Sequence, residues 1–221
     1  LEQFIAEGGE YHQVAVNTPK IGSAVLKALT LADGSEVSAE CFVFACGPWL
    51  GQMFPGLLGN VIRATRQEVF YFGTPMANDR FSDNRFPTWV DMGAHMFYGI
   101  PGNQWRGFKI ADDSRGPEFD PTNGERLPTA ESMKSVREYL AFRFPALAGA
   151  PLLECRVCQY EQTTDGDFVI GRHPSTENVW IAGGGSGHGF KHGPAVGELV
   201  SRLVLGEESC PAQFSLERFA A

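Results

Sequence analysis

The sequence predicts a mixed chain, α/β to α+β in class, on three observations. Residues 178–182 form a β-type run that enters Gly183-Gly184-Gly185-Ser186-Gly187-His188-Gly189, after which Val196, Leu199, Val200, Leu203 and Leu205 recur at helical spacing. Residues 10–45 read as a meander of short strands ending in an apolar one. Residues 66–111 alternate through several strands before a helical stretch at 130–144. With 221 residues, 43 % apolar content and 17 Phe, the chain is long enough for one large domain or two small ones.

In chain order, residues 1–9 look like the tail of an interrupted helix, and 10–16 and 23–31 like strands. Ala32-Asp33-Gly34-Ser35 is a hairpin turn by its Asp-Gly pair. Residues 36–45 alternate into a buried strand, Phe42-Val43-Phe44-Ala45, which stops at Cys46-Gly47-Pro48-Trp49 and a short helical piece. A second region opens near Val61, with strands at 66–72, 89–92, 95–100 and 107–111. Residues 112–129 are polar and rich in Gly and Pro, hence a loop. Met133, Val136, Tyr139, Leu140 and Phe144 then mark a helix with Thr129 or Ser132 as its cap. Residues 152–161 are a strand, Asp165-Gly166-Asp167 a turn, and Phe168-Val169-Ile170 a short apolar run.

A net charge of −8 argues against nucleic-acid binding, which needs a basic face. No apolar run approaches membrane-span length, and no signal peptide opens the chain. The first residue is Leu1, so a missing N-terminal segment of the same protein is expected upstream. The five cysteines (41, 46, 155, 158 and 210) are odd in number and irregularly spaced, which points to a reducing, cytoplasmic setting. Cys155 and Cys158 are formally C-x-x-C, but on a strand residues three apart face opposite ways. No metal site or dithiol is expected there. Arg156, Cys158 and Tyr160 would share one face.

Five glycines between 183 and 189 let the backbone approach a flat or anionic group, and the following helix turns its unsatisfied N–H groups toward the loop. A tight turn without a ligand would show the same pattern. Neither G-x-G-x-x-G nor G-x-x-x-x-G-K-[ST] can be read through it. Lys191 sits at a helix start, where the dipole disfavours a cation unless an anion is bound.

Several segments taken together resemble the D-amino-acid-oxidase superfamily, closest to its monomeric sarcosine oxidase and N-methyl amino acid oxidase branch. They are 33–49, Arg66-Gln67-Glu68-Val69, Tyr98-Gly99-Ile100-Pro101, Gly107-Phe108-Lys109, Cys158-Gln159-Tyr160, 165–171 and Ser186-Gly187-His188-Gly189-Phe190-Lys191. They keep the family order across nearly the whole chain, a little over half of a typical member. The resemblance implies the C-terminal part of an FAD-binding, Rossmann-like domain (meander, glycine loop and final helix). A substrate domain on a mixed, largely antiparallel sheet is inserted in it. The expected division is 1–60 and 161–221 for the FAD-binding part and 61–160 for the substrate part. The family's own G-x-G-x-x-G and its substrate-carboxylate arginine would lie upstream of Leu1, so the chain by itself is expected to be inactive.

The resemblance also implies roles. Gly184, Gly185, Ser186, Gly187, His188, Gly189 and Phe190 would wrap the flavin ring, with His188 equally readable as structural, and Gly47 and Trp49 would cover part of FAD. Lys191 would bind the substrate carboxylate, Tyr160 would line the substrate pocket, and Lys109 would face the flavin and activate O2. Cys158 matches the position of covalent FAD attachment, where Arg156 could help the thiol ionise. The branch has a histidine where this chain has Asp113. The implied activity is FAD-dependent oxidation of a C–N bond in a small secondary or N-methyl amino acid, by hydride transfer to flavin, with O2 as acceptor. The alternatives are a dehydrogenase with a protein acceptor and a non-catalytic binding or oligomerisation module.

Overall fold

The computed structural model describes residues 1–76 and 79–219. Its strands are β1 (Ala28–Thr30), β2 (Glu36–Ser38), β3 (Phe42–Phe44), β4 (Ile62–Phe72), β5 (Trp89–Met92), β6 (Met96–Ile100), β7 (Phe108–Asp112), β8 (Leu152–Thr163), β9 (Val169–Arg172) and β10 (Val179–Gly183). Its helices are α1 (Glu2–Ala6), α2 (Leu50–Met53), α3 (Pro55–Leu58), α4 (Ala130–Arg143) and α5 (Gly193–Leu205). The mixed α/β class expected from the sequence is the one that forms. The chain divides into two compact units, Leu1–Arg63 with Glu161–Ala221, and Ala64–Tyr160.

In the first unit, β1 and β2 form a hairpin over the Asp-Gly turn, where Gly34 takes φ +86° and the Asp33 carboxylate accepts the Ser35 N–H at 2.9 Å. A three-stranded sheet has the order β3-β10-β9, parallel between β3 and β10 and antiparallel between β10 and β9. Alternation sets its register: Phe42 and Phe44 are buried while Val43 is exposed. The two rings join Leu50, Phe54, Leu58, Val169, Val179 and Ile181 in one apolar cluster. Asn178 ties distant sequence to this sheet, exchanging two 2.8 Å bonds with the Leu26 backbone.

The second unit is a five-stranded sheet ordered β5-β6-β7-β4-β8, antiparallel at the β5–β6, β6–β7 and β7–β4 pairs. Strand alternation separates its faces. Phe70, Phe72, Phe97, Phe108 and Ile110 join Val136 and Leu140 of α4 in one core. Val69, Tyr71 and Ala111 make a smaller cluster, against which Tyr98 and Cys158 pack. Of the two candidate caps for α4, Thr129 takes the role, its hydroxyl accepting the Ser132 N–H at 3.2 Å. The Thr129 N–H is itself donated to buried Glu68 at 2.9 Å, and Arg66 holds the other Glu68 oxygen at 2.7 Å.

Three local expectations are corrected and a fourth is refined. Residues 10–16 are not a strand; they have one isolated bridge, Val16 to Leu31, and no ladder forms among the described residues. The strand expected at 23–31 shrinks to β1. Residues 36–45 break into β2 and β3, which belong to different sheets, because Phe42 and Phe44 are drawn into the apolar cluster and β2 is not. The stretch 112–129 is a loop, but its middle is fastened to β4: Phe119 N–H is donated to the Ala64 carbonyl at 3.0 Å and Arg66 N–H to that of Pro117 at 2.9 Å.

Candidate functional site

The first unit presents the glycine loop. β10 ends at Gly183, a one-turn 3-10 segment covers Gly189–His192, and α5 begins only at Gly193 with Pro194 in its first turn. Lys191 therefore lies in that 3-10 turn rather than on the α-helix. Its ammonium is exposed and donates to the His188 carbonyl at 3.1 Å.

The inner half of the loop is packed without slack. A Cβ at Gly183 would lie 2.2 Å from Leu50 and one at Gly184, where φ is +76°, would lie 2.8 Å from Thr163. Ser186 holds a positive φ of 45° and is secured by the Thr163 N–H at 3.2 Å and by its own bond to the Gly184 carbonyl at 3.2 Å. Three loop amides already have partners: Gly185 N–H with Glu161 Oε1 at 3.0 Å, Ser186 N–H with the Glu161 carbonyl at 3.2 Å, and His188 N–H with the Gly185 carbonyl at 2.8 Å. The outer half is open. Gly187, His188 and Lys191 are exposed and the Phe190 ring is fully so. His188 donates from Nε2 to the Gly166 carbonyl at 3.0 Å, fastening the loop to the Asp165-Gly166-Asp167 turn. Gly47 opens the 3-10 turn at φ +53° with open space beside it, and Trp49 is partly exposed.

The second unit carries a polar set on the face opposite its aromatic core. Lys109 pairs in register with Tyr71, and its Nζ lies 4.9 Å from the centre of the Tyr98 ring. Burial draws Lys109 below the ordinary lysine range, with Arg106 adding to this and Cys158 and Asp113 opposing it. Tyr160 donates from its hydroxyl to Asp113 Oδ1 at 2.7 Å and is hydrogen-bonded to Tyr98. Burial pushes Tyr98 up to about 12 and also raises Tyr160. Cys158 is a free, half-buried thiol on this face, whereas Cys155 packs toward the aromatic core, so the two diverge. Arg156 is engaged first by Glu154, which its guanidinium bonds, and Cys158 interacts with it only as a lesser electrostatic neighbour. Lys109 is a second cation that interacts with Cys158.

Strand alternation therefore brings Lys109, Cys158 and Tyr160 into one set, and the loop gathers residues 184–191 into another. Sequence reasoning missed Tyr98 as a site residue, although it alternates with core Phe97. It also missed the Tyr160–Asp113 bond and Glu161, whose partner Gly185 is 24 residues away. A cleft of about 910 Å³ in the first unit, lined in part by His173, Trp180, Cys210 and Phe219, contains none of the expected site residues. Among the described residues no group of three or more His, Cys, Asp or Glu could hold a metal ion, and no helix is long and apolar enough to cross a membrane.

The DAO family, described as FAD dependent oxidoreductase, matches residues 1–203. The chain belongs to this FAD-dependent oxidoreductase family. It is 33 % identical over 184 residues to the monomeric sarcosine oxidase of Bacillus sp. (strain NS-129), covering 81 % of this chain and 46 % of that one. It is 30 % identical over 189 residues to the N-methyl-L-tryptophan oxidase of Yersinia pestis (strain Pestoides F), covering 82 % and 48 %. The fold matches that of the deglycating enzyme fructosamine oxidase from Aspergillus fumigatus, with TM-score 0.75 and 23 % identity over 94 % of this chain and 52 % of that one. The chain thus spans about half the length of the curated relatives it matches. Its residues fit the family's cofactor. The outer loop offers exposed backbone, an uncovered aromatic ring and an ammonium to a flat anionic group, and Gly47 leaves open surface beside its backbone.

Proposed function

We propose that the whole protein is an FAD-dependent oxidase acting on a C–N bond of a small secondary or N-methyl amino acid. The observation that carries this reading is the grouping of Lys109, Tyr98, Tyr160, Asp113 and Cys158 on one sheet face, in a chain whose family is flavin-dependent. FAD, when bound, supplies the two-electron acceptor for the amine C–H. Residues 184–190 hold its ring, with Gly47 and Trp49 covering another part. The exposed Lys191 ammonium binds the substrate carboxylate. Tyr160 lines the substrate pocket, its hydroxyl proton held on Asp113 Oδ1.

Lys109 stabilises the negative charge that develops on O2 as it is reduced to hydrogen peroxide. Its partial burial strengthens that interaction and makes the loss of its proton easier. Cys158, a free thiol on the same face as Lys109, would be the residue that holds FAD covalently, through a thioether.

The test is acid precipitation of the purified full-length protein and its Cys158→Ser variant, with a peroxide assay on N-methyl and cyclic amino acids. A yellow pellet from the native protein, a yellow supernatant from the variant, and amine-dependent peroxide are expected. Colour only in the supernatant of the native protein removes the covalent role of Cys158. Flavin that an amine bleaches without peroxide points to another electron acceptor. No flavin in either fraction overturns the reading.

A further inference from the structure

Glu161 has no part in the function just proposed, yet its side chain is built into the glycine loop. It lies on β8, and its Oε2 is buried without a hydrogen-bond partner. Oε1 accepts the Gly185 N–H at 3.0 Å, and the Gly184 amide interacts with the same carboxyl. A Cβ at Gly183 would meet Oε2 at 2.8 Å and one at Gly185 would meet Oε1 at 3.2 Å, so the carboxyl fills the space that absent side chains leave behind the loop. Among the described residues, the titratable group coupled to it is the Cys46 thiol, pushed up first by burial and then by the Glu161 charge. Gly183, Gly184 and Gly185, which pack against the carboxyl, carry no charge.

Two effects on this carboxyl oppose each other. Burial with an unsatisfied oxygen disfavours the anion, and two amide donors favour it. Burial is the larger and raises the group above the ordinary glutamate value. A carboxyl balanced in this way exchanges a proton when charge nearby changes.

We propose that Glu161 is a positioning residue that braces the glycine loop and takes up one proton when the group seated on that loop becomes more negative. The proposal rests on the reading of the loop as the flavin cradle. When two electrons leave the amine C–H bond for the bound flavin, one proton from bulk solvent forms an O–H bond at Glu161 Oε2. It returns to solvent when the electrons pass to O2. By linkage, a neutral Glu161 makes electron uptake at the loop more favourable than an ionised one.

The test uses the flavin-loaded whole protein and the variants Glu161→Gln and Glu161→Ala. Glutamine keeps an acceptor for the Gly185 N–H but cannot change charge; alanine loses both. The flavin midpoint potential is measured by anaerobic dye titration between about pH 6 and about pH 9. The native potential is expected to fall, over part of that range, with a slope steeper by one proton per two electrons. E161Q keeps its flavin but lacks the steeper segment, and E161A releases flavin about tenfold more readily. Infrared difference spectra of flavin-free protein across the same range supply an independent readout, a protonated-carboxyl band that titrates and is missing from E161Q.

Parallel potentials in native protein and E161Q at every pH, or no titrating band, overturn the proposal. A protein that shows the band but takes up no flavin overturns the flavin-cradle reading and the redox coupling with it, and leaves the brace supported.

Discussion

Lys109 shows how one side chain acquires a role from its neighbours. On a strand edge a lysine is normally solvated; here Phe108 and Ile110 point into the aromatic core and Lys109 is turned to the opposite face, beside the Tyr98 ring. Its charge is therefore partly desolvated, which strengthens its action on a neighbouring anion and makes it easier to lose. Lys109→Met should slow O2 consumption by about 100-fold or more while leaving amine-driven bleaching of the flavin much less changed. Rapid-mixing absorbance separates the two rates; equal losses in both would remove the O2 role. In the native protein, O2 consumption should decline as pH rises through a value below the ordinary lysine pKa of about 10.4. The sign follows from the cation being the active form.

At the scale of elements, the glycine loop owes its shape to the segments beneath it. The Asp165-Gly166-Asp167 turn accepts the His188 imidazole through Gly166, and Arg218 from the C-terminal 3-10 turn binds Asp165 at 2.7 Å. Hydrogen bonds from Arg218 hold the Asp165 carboxyl down to about 2. That lies below the unfolded carboxylate value of about 3.9. The stabilisation is therefore present above about pH 4 and is lost as pH falls through about 2. Asp165 is 38 % exposed, so solvent screening limits the effect to about 1 kcal/mol. Denaturant unfolding should show Asp165→Asn less stable than the native protein by that amount at neutral pH, with the gap closing in acid. A gap that stays constant across pH would mean that the charge on Asp165 contributes nothing.

At the scale of the whole molecule, the two larger cores among the described residues have no residue in common. One gathers Phe42, Phe44, Val179 and Ile181 around a short mixed sheet, and the other gathers Phe70, Phe108, Ile110 and Leu140 between a long antiparallel sheet and α4. Ile181→Ala and Ile110→Ala should each cost about 2–5 kcal/mol, and the costs should add in the double variant. Hydrogen exchange mapped along the chain should show each substitution lowering protection in its own unit. Equal loss of protection in both units from either substitution would mean that the cores form one cooperative body.

The amino-acid sequence by itself determined the mixed class, the Asp-Gly hairpin, the helix after residue 129, the strand–glycine loop–helix order, the face that Cys158 shares with Tyr160, and the turning of Lys109 away from Phe108 and Ile110. Each is a local matter: a turn dipeptide, a cap, or a period of two or of 3.6 residues. Only the tertiary structure decided that residues 10–16 lack a ladder, that β2 and β3 part into different sheets, and that the Arg156 guanidinium bonds Glu154. It alone placed Glu161 behind Gly185 and Asp113 under the Tyr160 hydroxyl. Strand pairing, burial and the choice of charge partner depend on residues far apart in the chain, and their competition for the same partners is settled only when the chain packs.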